Sequence, residues 1–93
     1  GAVKKRDLYY VDFFTELQEK HPNFRYIPAL SDPDPEDEWD GEVGLITEVV
    51  ARHVSDANDK QAYLCGSPGM INACLKVLTE IGFDEVQIFY DKF

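Results

Sequence analysis

Two hydrophobic periods alternate along this chain, and their alternation constrains the fold more than any other feature. Residues 7–20 place Tyr10, Phe13, Phe14 and Leu17 three and four residues apart, the period of an amphipathic helix, with Asp7 positioned to cap it. His21, Pro22 and Asn23 stop that helix. Residues 24–30 are short, aromatic and branched, so they read as a strand, and Pro28 within them lacks a ladder donor and points to a sheet edge. Residues 31–42 are acidic and proline-rich, too polar for any element. Helical spacing returns at Val43, with Ile46, Val49, Val50 and Val54 on one stripe. After a loop over 55–60, residues 61–65 read as a second strand. Ser67 followed by Pro68 is a helix start, an N-cap with proline at the first helical position. Met70, Ala73, Cys74, Val77, Leu78 and Ile81 carry that helix to Gly82, which can take the positive φ that ends it. Residues 86–90 form a third strand.

Helix and strand thus alternate three times, which predicts a parallel sheet with crossover helices on its faces. The expected class is α/β, a partial doubly wound, Rossmann-like sheet of three strands and three helices. The chain opens on Gly1 and Ala2 directly before a helix, with no strand to launch it, so residues 1–93 are expected to be the C-terminal part of a larger domain.

Charge narrows the function classes. Eighteen acidic against nine basic residues leave a net charge of −9, which repels nucleic acid and prevents this segment from cradling a pyrophosphate alone. An ordinary acidic surface accounts for the same charge. Cys65 and Cys74 have neither disulfide-framework nor zinc spacing. No apolar run reaches the roughly 18 residues of a membrane-spanning helix. A reducing, cytoplasmic setting is the natural expectation.

In an open parallel sheet, ligands lie beyond the carboxyl ends of the strands. The turn from Cys65 through Gly66, Ser67, Pro68 and Gly69 to Met70 occupies such a place. Gly66 allows close backbone approach, and the helix after Ser67 presents free N–H groups. Cys65 is either a soft sulfur at the mouth of a site or an ordinary buried cysteine before a helix cap.

The run from Tyr63 to Met70 resembles the CGPPxM motif of ferredoxin–NADP reductase-like flavoenzymes, and the resemblance extends over essentially the whole chain. Gly1-Ala2 followed by Asp7-Leu8-Tyr9-Tyr10 is similar to the family's stretch after its second strand. Ala29-Leu30-Ser31-Asp32-Pro33 with Trp39, Gly41 and Gly44 is similar to its ALSDP segment. That segment is equally similar to the F subunit of sodium-translocating NADH:quinone reductases. The closing Phe89-Tyr90-Asp91-Lys92-Phe93 resembles the tails of reductases serving monooxygenases.

The resemblance implies an electron relay: NADH reduces FAD, and the flavin passes single electrons to an iron–sulfur centre, a 2Fe-2S cluster carried outside this segment. Cys65 would lie beside the nicotinamide, with Gly66, Ser67, Pro68 and Met70 lining the dinucleotide pocket, and Phe93 would cover the flavin ring. Phe93 read alone is a terminal aromatic. Val3 stands where many relatives carry Arg. Lys4, Lys5 and Arg6 either replace that adenosine-side contact, Lys4 foremost, or form a solvated helix start. NADH is expected over NADPH because no 2′-phosphate clamp is evident.

The family sheet has five strands in the order 3-2-1-4-5, with a glycine-rich pyrophosphate loop after the first. The strands here match the third, fourth and fifth, so the first two are missing and the segment alone is expected to be inactive. Residues 24–30 and 61–65 would then be non-neighbours, and pairing with a second copy or a complementing piece is expected over direct pairing. The expected partners are NADH, a flavin domain, and an iron–sulfur domain or ferredoxin. The parent is expected to be cytoplasmic, with attachment to the cytoplasmic membrane face an option. A stand-alone acidic α/β interaction module is the alternative. A thiol-redox module is weaker, because Cys65 lacks a C-x-x-C partner. His53 is expected to meet a helix dipole and His21 to be solvated. The acidic run 32–40 lacks the spacing of a calcium loop.

Overall fold

The structure is a computed structural model that describes residues 1–92. It is an α/β arrangement of three helices and two small parallel sheets of two strands each. The chain divides into two compact units, Gly1–Val49 and the residues from Val50 onward.

In the first unit, α1 spans Val11–Lys20, later than the sequence pattern places it. Asp7 does not cap this helix. Its carboxylate accepts the Lys4 N–H at 3.1 Å and closes a separate 3-10 turn over Lys5–Asp7. Tyr10 holds the N-cap position of α1 in the left-handed region, at φ 56°. Phe14 then packs its ring against Tyr26 at 5.3 Å and Phe24 at 6.3 Å. Gln18 accepts the Tyr26 N–H at 2.8 Å, fixing the extended 24–28 segment beside the helix.

Only Ala29–Leu30 of the expected first strand enters a ladder, as β1. Its parallel partner is β2, Glu42–Val43, which emerges from the end of the acidic stretch. On the other side, Ala2 bridges Leu30 in parallel. Ala2 donates to the Ala29 carbonyl and accepts from Ser31, both at 2.9 Å. Two expectations are corrected here. The opening residues are an extended segment paired to β1, and β1 is central, flanked on both sides. Pro28 is tolerated because it precedes the ladder, where only its carbonyl is used, by the Glu42 N–H at 3.3 Å. Central placement leaves Ala29 and Leu30 fully buried. Trp39 shapes the turn into β2. Its indole donates to the Glu42 carbonyl at 2.9 Å, and its ring lies where a Cβ on Gly41 would sit, 2.5 Å from the nearest ring atom. The second helix, α2, runs Ile46–His53.

In the second unit, β3 (Ala62–Gly66) and β4 (Ile88–Lys92) pair in parallel over five residues, joined through α3 (Pro68–Ile81). Burial alternates along β3, with Ala62, Leu64 and Gly66 half-buried and Tyr63 and Cys65 exposed. Tyr63 and Phe89 face each other in the ladder and stack at 5.1 Å, 15° apart. Ile71, Cys74 and Leu78 form the buried stripe of α3, with Phe83 beyond its end. Gly82 terminates the helix at φ 119° and donates to the Leu78 and Thr79 carbonyls. The Gln87 amide ties the 57–60 loop to the start of β4, donating to Ala57 O at 2.8 Å and Lys60 O at 3.0 Å. Among the described residues no ladder joins 24–30 to 61–65.

Candidate functional site

The turn after β3 forms as its residues dictate. Strand pairing ends at Gly66, opposite Lys92, and Cys65 stands opposite Asp91. Ser67 takes an extended conformation and its hydroxyl accepts the Met70 N–H at 3.3 Å. Pro68 occupies the first helical position, where no donor is needed. The Gly69 N–H lies in the first turn, where the helix supplies no acceptor, so the turn presents a backbone donor beyond the carboxyl end of the strand.

Gly66, at φ 157°, is constrained from within. A Cβ there would come 2.7 Å from the Met70 Cε and 2.8 Å from its Sδ. The methionine thioether therefore rests against the glycine, a contact the sequence reading did not anticipate. The glycine-to-methionine spacing of four residues across a helix start was its only trace.

Cys65 is an exposed free thiol and Cys74 a buried one. Exposure excludes the reading of Cys65 as an ordinary buried cysteine. Burial pushes the Cys74 thiol above its ordinary pKa.

Lys4 belongs to the first unit. Its ammonium is held by Asp32 at 2.8 Å and Asp34 at 3.0 Å, and these hydrogen bonds raise its pKa. Arg6 lies 3.7 Å from Asp34, and Lys5 reaches the Asp37 carbonyl at 3.5 Å. The acidic stretch is thus the counter-surface of the basic cluster as well as a solvated loop. His21 is the exposed C-cap of α1 and His53 is the last residue of α2. Among the described residues no group of three or more His, Cys, Asp or Glu is placed to hold a metal ion. Phe93 lies outside the described residues.

Residues 61–75 contain no Lys or Arg, so the donors that the turn itself offers are neutral. A parallel β–α–β unit with a capped helix start at the strand's carboxyl end belongs to the nucleotide-binding class of α/β folds.

Within that class, residues 1–76 match the oxidoreductase NAD-binding domain family, and the chain belongs to it. It is 40% identical over 97 aligned residues to the F subunit of the Na(+)-translocating NADH-quinone reductase from Actinobacillus succinogenes, covering all of this chain and 24% of that protein. It is 39% identical over 94 residues to the phenol hydroxylase P5 protein of Acinetobacter pittii, covering all of this chain and 27% of that one. Among solved structures, the Amycolatopsis cytochrome P450 reductase GcoB matches 99% of this chain with a TM-score of 0.84 at 32% identity, over 27% of its own length. The chain therefore spans about a quarter of the length of these relatives. Among the described residues no helix is long and apolar enough to cross a membrane.

Proposed function

We propose that this chain is the C-terminal part of the NAD-binding domain of an NADH-dependent, FAD-containing electron-transfer reductase that delivers electrons to an iron–sulfur centre. The observation that carries the reading is the turn from Cys65 to Met70. It stands at the carboxyl end of β3 with a capped helix behind it, in a chain of the NAD-binding family whose relatives include an NADH-quinone reductase. When bound, NADH supplies a hydride and the flavin converts that pair of electrons into single-electron steps. The residues of this chain orient the donor. The exposed Cys65 sulfur packs beside the nicotinamide C4 and sets the ring's attitude, without covalent chemistry. Gly66 and Met70 form the wall behind it, and the Ser67–Pro68 helix start offers backbone N–H groups to the carboxamide. Phe93 is assigned to the flavin face.

The 2Fe-2S cluster, flavin domain and acceptor belong to the longer protein. A free exposed thiol suits a cytoplasmic setting, which includes a reductase docked at the cytoplasmic face of a membrane.

The test is stopped-flow flavin reduction by NADH in the reductase that contains this segment. Cys65→Ala should slow hydride transfer by about 10- to 100-fold, typical of disturbed orientation, while changing NADH affinity less. An unchanged reduction rate would exclude the positioning role of Cys65.

A further inference from the structure

Met70 is the one methionine of the chain, and it stands in the first turn of α3. Its N–H donates to the Ser67 hydroxyl at 3.3 Å. Long side chains on a helix lean back toward its N-terminus, and that lean carries the Met70 thioether over Gly66. A Cβ on Gly66 would lie 2.7 Å from the methionine Cε and 2.8 Å from its Sδ, closer than unbonded atoms of that size approach. Glycine at 66 and methionine at 70 therefore share one space, and the thioether fills it. Small solutes still reach the residue. Met70 is half-buried, and Ser67, Pro68 and Gly69 beside it are all exposed.

An accessible thioether is open to one reversible oxidation. Hydrogen peroxide transfers an oxygen atom to Sδ: the O–O bond breaks, a sulfur lone pair forms the S–O bond, and the other oxygen leaves as water. Sulfur loses two electrons and the peroxide gains them. The product is a polar, chiral sulfoxide where an apolar thioether was packed. A carbon added to the glycine has no room, and an oxygen added to the facing side of the sulfur needs the same room. An oxygen on the opposite side is drawn into water and turns the side chain outward. Either epimer vacates the space over Gly66. We propose that Met70 is a reversible redox latch of the Cys65–Met70 turn, its thioether holding the Gly66 backbone in place and its oxidation by a peroxide releasing it. The latch rests on the reading of this turn as the nicotinamide site, where the oxidised state slows reduction of the flavin by NADH. A thiol-driven sulfoxide reductase resets it, removing the oxygen as water while two thiols become a disulfide.

The experiment uses the reductase that contains this segment, labelled with carbon-13 at its methionine methyls and treated with hydrogen peroxide. A dithiol is then applied and removed, which restores oxidised cysteines but leaves the sulfoxide. Before peroxide, the Met70 methyl signal, identified by its loss in Met70→Leu, should show a nuclear Overhauser contact to the Gly66 α-protons. After peroxide, mass spectrometry should find an added oxygen on the peptide carrying Met70, and the contact should vanish. Flavin reduction by NADH should slow by about tenfold, the scale of a disturbed orientation. Met70→Leu keeps the volume without the sulfur and should show no such loss, while a sulfoxide reductase should restore both contact and rate in the parent. The methyl contact is read without NADH, so the latch and the nicotinamide reading fail separately. A Met70 that resists, in the folded protein, a peroxide dose that converts it in urea would overturn the proposal. So would a contact that survives oxidation, an unchanged rate, or an equal loss in Met70→Leu.

Discussion

Cys65 and Cys74 show how far a residue's chemistry depends on its surroundings. Both are free thiols in the same β–α–β unit. Cys65 alternates outward at the end of β3, while Cys74 falls on the buried stripe of α3. Reactivity follows the exposed thiolate, and burial keeps Cys74 in the thiol form. With a chromogenic disulfide reagent at neutral pH, one thiol per chain should react quickly and the second only on unfolding. Cys65→Ala should abolish the fast phase, and two equal phases in the native protein would refute the assignment. Gly66 and Met70 make a related point. The sequence marks both as site residues, but only the fold reveals that the thioether occupies the glycine's missing side-chain volume.

Among the elements, α3 follows its local sequence most closely. Ser67, Pro68 and Gly82 mark its ends and the apolar stripe marks its buried face. Ser67→Ala removes the acceptor for the Met70 N–H and should cost about 1 kcal/mol, read from thermal or denaturant melts. A variant as stable as the parent would show that the cap is dispensable. The loop before β3 carries a pH dependence. Hydrogen bonds from the Lys60 ammonium and then the Asn58 N–H hold the Asp56 carboxyl below its ordinary value. A depressed carboxylate stabilises the fold above its unfolded pKa of about 3.8 and loses that contribution as pH falls through the folded value. Melts recorded from pH 6 down to pH 2 should therefore show a smaller acid-induced loss for Asp56→Asn than for the parent, and parallel curves would refute the linkage. At the other extreme, the 24–30 segment reads as one strand but pairs over only two residues. Its backbone is otherwise fixed by side chains, Gln18 at Tyr26 and the Phe14 ring.

For the molecule as a whole, the chemistry of the family is larger than this chain. The 93 residues contain no glycine-rich pyrophosphate loop, and the turn after β3 carries no cation. Dinucleotide affinity requires the central pyrophosphate to be held, so isothermal titration of the chain alone with NADH should show no measurable binding. A micromolar site would refute this. Large rings stand exposed in both units, Tyr9, Tyr10 and Phe13 in one and Tyr63, Phe89 and Tyr90 in the other.

The local code of the chain set the identity and order of its helices, the capped start and glycine stop of α3, and the parallel pairing expected of alternating helices and strands. Those features depend on contacts within a turn or two, or on a period repeated along one element. The partners of each strand depended on residues far apart in the chain. Ala2 and Glu42–Val43 flank β1 through hydrogen bonds between residues 14 to 29 apart in the chain, and no local period encodes them. The same holds for Lys4, which the family resemblance leaves as either a ligand contact or a solvated charge. Only folding brings Asp32 and Asp34 to its ammonium, because a long-range ion pair forms where the backbone delivers both charges, and a sequence pattern carries no distance.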